Sequence, residues 1–155
     1  WNWMKHVDLT QVNYTGNDIV TEIVEKNISL FAKENIKFLN NDCLSSLKKM
    51  KTKSIDLIIC RHTLEHLETD YCVEVCNEIK RVGTYALITS NNIDNDIANS
   101  DFTLDGHSAR QIDLEKPPFL QILSVPVERI WDSKGQNFGV KNYNGINLYY
   151  FGEKE

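Results

Sequence analysis

The 155-residue sequence predicts an α/β fold, a three-layer sandwich on a mostly parallel sheet with a C-terminal antiparallel β-hairpin. Three observations predict it. Short apolar runs over residues 13–18, 36–42 and 55–61 each stop at a polar residue, where a strand would hand over to a helix. Between and after them lie segments with helical spacing, and strand alternating with helix at this interval specifies right-handed βαβ units. Near the end, residues 125–131 and 146–151 read as two strands joined by a Gly- and Asn-rich turn over 134–145, the pattern of a hairpin. Open parallel sheets bind ligands in the crevice outside the carboxyl ends of their strands. A nucleotide-like ligand site is therefore expected at those strand ends.

The elements follow in order. Residues 1–7 suit a helical turn, after which Tyr14 to Asp18 carries a strand into a bend. From Ile19, apolar side chains recur at Val20, Ile23, Val24, Ile28 and Phe31, the stripe of a one-sided helix that should lie on a sheet. Residues 36–40 alternate as a strand ending at Asn41 and Asp42, and 43–49 suit a short helix before a polar loop at 51–54. Residues 55–60 are the most apolar run, fit for a buried parallel strand. Leu64, Leu67, Tyr71, Val75 and Ile79 continue as one helix face ending near Gly83, and 84–89 form the next strand. Residues 91–108, rich in Asn, Asp and Ser, read as a long loop of the kind that serves as a lid or binding segment. Pro117-Pro118-Phe119 is expected to be extended.

Composition limits function. With 41% hydrophobic and 25% charged residues the chain has material for one ordinary soluble domain over 1–155. A net charge of −5 argues against a phosphate-backbone binder, because nucleic-acid affinity rests largely on Lys and Arg. No apolar stretch approaches the roughly 20 residues that span a bilayer, and no basic segment precedes an apolar run at the N-terminus. The expectation is a cytoplasmic protein with a small-molecule substrate, no nucleic acid and no membrane, as a single chain or a homodimer. Cys43, Cys60, Cys72 and Cys76 contain no close CxxC pair and suit reduced, packed thiols.

The order of elements then resembles a known family. A strand ending in Tyr14-x-Gly16-x-Asp18, a second ending in Asn41-Asp42, and a third reading Asp56-Leu-Ile-Ile-Cys60-Arg61-His62-x-Leu-x-His66-Leu67, followed by helix, strand and hairpin, resemble the class I S-adenosylmethionine-dependent methyltransferases, which are Rossmann-like. The resemblance covers about residues 1–151. A later stretch, Gly106-x-x-x-Arg110-x-x-Asp113-Leu-x-x-Pro117-Pro-Phe119, is similar to a subgroup of bacterial methyltransferases. One departure is large: the family's glycine-rich loop after its first strand is not found, and Trp1-Asn-Trp3-Met4 resembles the sequence that follows such a loop. On this reading the first strand and loop are missing from the chain as given, which would leave two strand edges exposed.

The resemblance implies an enzyme with S-adenosylmethionine as cofactor, and roles for residues at matching positions. Asp18, with Ile19 beside it, would accept hydrogen bonds from both ribose hydroxyls, a task suited to a carboxylate's two acceptor oxygens. Asp42 would pair with the adenine amino group while the backbone amide of Cys43 meets a ring nitrogen. Cys60 and Arg61 would lie beside the sulfonium, and Trp3 would follow the missing loop against the cofactor. Plainer readings stand beside these: Asp18 and Asp42 as helix caps, Arg61 in a surface ion pair, and Trp1, Trp3 and Trp131 as core or interface aromatics.

An acceptor hydroxyl or amine must lose a proton as it is methylated, and an imidazole with a pKa near about 6.5 is a suitable base. His62 and His66 are the catalytic candidates, against structural or orienting roles. Tyr14, Asn91, Asn92, His107 and Arg110 are candidates for the acceptor pocket, Arg110 because its planar fork suits phosphate or carboxylate. His62-Thr-Leu-Glu65-His66 also matches H-x-x-E-H, the pattern of inverted zincins with Glu65 as base, so a zinc hydrolase is one competing reading. A non-catalytic interaction module is the other. No metal is expected.

Overall fold

A computed structural model describes residues 4–93, 99, 110–137 and 140–152, with side chains described except at 92, 93, 131–137 and 140–144. The chain divides into two compact units, residues 1–49 and 50–155. The fold is mixed α/β with βαβ segments and a closing hairpin, as the alternation of elements predicts.

In the first unit a 3-10 turn (Met4–His6) precedes strand β1 (Tyr14–Asp18), helix α1 (Thr21–Phe31), strand β2 (Ile36–Asn40) and helix α2 (Cys43–Lys48). β1 and β2 pair in parallel, Tyr14 opposite Ile36 and Asp18 opposite Asn40, with α1 as the crossover. Both strand ends therefore lie on the same edge of the pair. Met4, Leu9 and Ile36 form a small core against which Tyr14 and Phe38 pack. Gly16 lies beneath those two rings: a Cβ there would stand 2.9 Å from a ring carbon of Phe38 and 3.1 Å from the Tyr14 hydroxyl. The helix begins at Thr21 rather than Ile19, because the Asp18 carboxylate takes the Val20 amide at 2.9 Å and turns the chain before it can coil. Of α1's residues, Val24 is buried, whereas Ile23 and Ile28 are each 46% exposed.

The second unit holds strand β3 (Ile55–Cys60), a 3-10 turn (Leu64–His66), helix α3 (Thr69–Val82), strand β4 (Gly83–Ile93), the short helix α4 (Phe119–Leu123), and strands β5 (Glu128–Asn137) and β6 (Val140–Tyr150). Its sheet runs β3-β4-β6-β5, with β3 parallel to β4 and the other pairs antiparallel. α3 buries Cys72, Val75, Cys76, Ile79 and Val82, all at 1% exposure or less, a stripe at i, i+3, i+4, i+7 and i+10. Ala86, Ile88, Leu114, Phe119 and Tyr149 are buried in the same unit. The four cysteines are free, three of them buried, and burial pushes the Cys76 thiol well up.

The described strands form two sheets, and no described strand pairs with the outer edge of β1 or of β3. Three expectations are corrected. The helix read from Leu64 to Ile79 is broken, with Leu67 and Glu68 extended between the 3-10 turn and α3. The break is closed by Cys72, whose thiol donates to the carbonyl of Leu64 at 3.2 Å and whose amide donates to that of Glu68 at 2.9 Å. The hairpin strands run to Asn137 and resume at Val140, well inside the segment read as a turn, since backbone pairing continues regardless of how polar the side chains are. Phe119, expected in an extended stretch, opens α4 and is fully buried.

An ammonium group ties the second unit together. Lys53, in the left-handed region at φ 51°, sends its Nζ to the carbonyls of Lys80 at 3.1 Å, Gly83 at 2.9 Å and Phe151 at 2.7 Å. It thereby joins the loop before β3, the end of α3 and the residue after β6. Desolvation, with the charge of Lys80, holds its pKa below the ordinary value.

Candidate active site

At the carboxyl edge of the first unit, Asp18 is half-buried and its Oδ1 accepts the Val20 amide at 2.9 Å. Its second oxygen accepts no hydrogen bond from the described residues. Asp42 is the N-cap of α2, its Oδ1 accepting the Ser45 amide at 2.8 Å, so the capping role weighed for it is present. Cys43 opens α2 behind it, and Ile19, 70% exposed, follows Asp18. The two strand ends are laced by amides that the sequence reading did not single out. Asn40 donates from Nδ2 to the carbonyls of Asp18 at 3.2 Å and Ile19 at 3.1 Å, while its Oδ1 accepts from the Thr21 hydroxyl at 3.0 Å. Asn17 donates to the Asn41 carbonyl at 2.9 Å and accepts from the Ser46 hydroxyl at 2.9 Å. The cluster of Asn at strand ends was the available signal. Tyr14 is at the far end of β1, its ring edge-on to Phe38 at 6.1 Å between centroids, and burial raises its pKa.

In the second unit β3 ends at Cys60, opposite Ile88 of β4. Arg61 is exposed and its carbonyl accepts from the Thr63 hydroxyl at 3.3 Å. His62 then adopts φ 50°, a left-handed conformation uncommon for a residue with a side chain. Its amide donates to Oγ1 of the buried Thr89 at 3.1 Å, and its ring Nδ1 is 3.0 Å from Oε1 of Glu65. His66 Nε2 is 3.8 Å from the same oxygen. His62 and His66 are 44% and 56% exposed at the side chain, Glu65 only 14%. Because Leu64–His66 is a 3-10 turn, the two imidazoles are not presented from one α-helical face, as the H-x-x-E-H pattern presupposes.

The segment from Arg110 onward returns to this turn. The Arg110 amide donates to the Glu65 carbonyl at 2.9 Å, and its guanidinium reaches the Thr69 hydroxyl at 2.6 Å and the Cys72 sulfur at 3.3 Å. Asn91, on β4, exchanges two bonds with Ile112: its amide donates to the Ile112 carbonyl at 2.6 Å and its Oδ1 accepts the Ile112 amide at 3.0 Å. Ser90 Oγ accepts the Leu114 amide at 3.1 Å. Trp1, Trp3 and His107 lie outside the described residues, as do the side chains of Asn92 and Trp131. The structure thus groups Asp18 with Asp42 at one sheet edge, and His62, Glu65, His66 and Arg110 around one turn. Glu65, read earlier only as a hydrolase base, is the residue at the centre of that second group.

Parallel strands joined by helical crossovers, with polar residues at their carboxyl ends, are the arrangement of a Rossmann-like domain, in which ligands bind at those strand ends. Residues 2–84, more than half of the chain, match the family model described as methyltransferase domain. The chain belongs to that family and is a class I methyltransferase, an enzyme whose methyl donor is S-adenosylmethionine. Similar solved structures agree in fold. A SAM-dependent methyltransferase from Methanosarcina mazei aligns with a TM-score of 0.60 at 9% identity, over 90% of this chain and 82% of that one. The N-methyltransferase NodS from Bradyrhizobium japonicum aligns at 0.54 and 16%, over 88% and 71%. The N-terminal domain of EvdMO1, crystallised with SAH bound, aligns at 0.53 and 14%; this chain covers 64% of it, and 87% of this chain is matched. No curated protein matches the sequence.

Proposed function

We propose that residues 1–155 act as one methyltransferase-like domain that methylates a small polar acceptor at oxygen or nitrogen. The observation that carries the cofactor part is Asp18. A half-buried carboxylate at the end of β1 has one oxygen spent on the Val20 amide and the other open, which fits a ribose diol needing an acceptor. The Asn40 amide fixes the turn that presents it. Asp42 and the Cys43 amide would take the adenine, Ile19 would flank the ribose, and Cys60, Arg61 and Trp3 would take the methionine end. When bound, S-adenosylmethionine supplies the methyl group.

The protein's own contribution is to hold the reactants in line and to take a proton. Positioning is the larger of the two, since orientation alone is worth about 7–11 kcal/mol in favourable cases. A proton leaving the acceptor would be received by an exposed imidazole, His62 or His66. Tyr14, Asn91, His107 and Arg110 are proposed for the acceptor side. The small-molecule acceptor class is supported by the sequence's net charge of −5, which disfavours a nucleic-acid substrate. No helix among the described residues is long and apolar enough to cross a membrane. A cytoplasmic setting and a single-chain or homodimeric state belong to the same proposal.

Calorimetry with S-adenosylhomocysteine on the full-length protein tests this reading. Asp18→Ala is expected to weaken binding at least about tenfold, the loss of charge-assisted hydrogen bonds worth about 1.5–3 kcal/mol. An unchanged dissociation constant removes Asp18 from the site. Absence of heat with the unaltered full-length protein would favour the non-catalytic module.

A further inference from the structure

The turn after β3 brings one carboxylate between two imidazoles, and the three groups are not equivalent. Glu65 is 14% exposed at the side chain, and its backbone is held by the Arg110 amide on its carbonyl at 2.9 Å. Its Oε1 is within hydrogen-bond distance of His62 Nδ1 at 3.0 Å and out of range of His66 Nε2 at 3.8 Å. The His62 backbone is in turn fixed in the left-handed region by the Thr89 hydroxyl. Unusual backbone conformations persist where the surroundings over-determine them, and they cluster at working sites.

We propose that Glu65 is a positioning residue that makes His62, and not His66, the proton acceptor of the methyl-transfer reaction. An ionised carboxylate only accepts hydrogen bonds, so the nitrogen facing it must carry a proton. His62 is therefore held as the Nδ1–H tautomer, and its lone pair is placed on Nε2, on a ring 44% exposed. As the acceptor's electron pair forms the new bond to the methyl carbon, the methyl–sulfur bond of the donor would break, its electron pair leaving with sulfur as a neutral thioether, and the acceptor's proton passes to that lone pair on Nε2. The resulting imidazolium keeps its Nδ1–H on Glu65, whose negative charge stabilises it, and the proton is later lost to water from the exposed edge. His66 has no partner close enough to select a tautomer among the described residues, so it supplies no oriented lone pair. This inference rests on the methyltransferase reading for its chemistry, but the tautomer is a property of the protein alone.

Long-range proton–nitrogen correlation on the 15N-labelled full-length protein, above the imidazole titration range, reads the tautomer of each histidine directly. His62 is expected as Nδ1–H with an unprotonated Nε2, and Glu65→Ala is expected to lower its ratio of Nδ1–H to Nε2–H by about tenfold or more. A His62 that is Nε2–H in the unaltered protein, or whose pattern is the same in Glu65→Ala, overturns the proposal. Should the variant not fold, the unaltered protein's spectrum still decides. A correct tautomer with no S-adenosylhomocysteine binding would leave the positioning intact and discard the cofactor reading; binding with the wrong tautomer would do the reverse.

Discussion

Helices α1 and α3 obey the same sequence rule and meet different fates. Each carries apolar residues at helical spacing, yet α3 buries five of them at 1% exposure or less, whereas α1 leaves Ile23 and Ile28 46% exposed and buries Val24. The difference teaches that periodicity names the face that can be buried, not what covers it. In the second unit β4, within a four-stranded sheet, and α4 pack against α3; in the first, a two-stranded parallel pair offers a much smaller surface.

The strongest way to break this comparison is truncation on each helix. Ile79→Ala should cost about 2–5 kcal/mol, the range for emptying a well-packed site. Ile28→Ala, at an exposed position, should stay within about 0.5 kcal/mol of the unaltered protein. Urea melts of both variants measure this; equal losses would mean that α1 is as well covered as α3. Next in size is Lys53→Met, which removes a charged donor from three carbonyls at once and should cost about 1.5–3 kcal/mol in the second unit. A melt unchanged by Lys53→Met would show that solvent replaces the ammonium without loss.

The smallest effect belongs to the first unit. The side chain and amide of Thr10 both donate to the Asp8 carboxylate and, with Lys33's charge assisting, hold it below the usual carboxylate value. A group whose folded pKa is depressed contributes stability that is present above the unfolded value and lost as pH falls through the folded one. Asp8→Asn should therefore lower the urea midpoint slightly at about pH 6 and converge with the unaltered protein as pH falls through the depressed folded value, below the ordinary carboxylate range. A difference that persists in acid would assign the effect to something other than ionisation.

Much of the candidate site was legible because strand ends advertise themselves. An apolar run stopping at Asp18, Asp42 or Cys60 is a local event, and β1, β2 and β3 end at Asp18, Asn40 and Cys60. What was hidden is non-local or geometric. Asn40 acts on Asp18 and Ile19 across β1–β2 pairing, and Arg110 reaches Glu65 and Thr69 from a segment more than forty residues on. The helix read straight through Leu67 failed because its apolar spacing was right on both sides of a break that only Cys72's contacts reveal. The hairpin's reach was understated for a related reason: ladder hydrogen bonds are made by every backbone, and polar side chains over 134–137 gave no sign of them.

By itself, then, the order of residues determined the alternation of strand and helix, the polar residues at each carboxyl end, and the family to which they belong. These depend on spacing along the chain, which a sequence records. Which apolar faces find cover, which nitrogen of His62 faces a carboxylate, and where Lys53 places its charge were decided only in three dimensions. Such contacts join residues distant in sequence at distances of about 3 Å, where burial and hydrogen-bond direction set the energy.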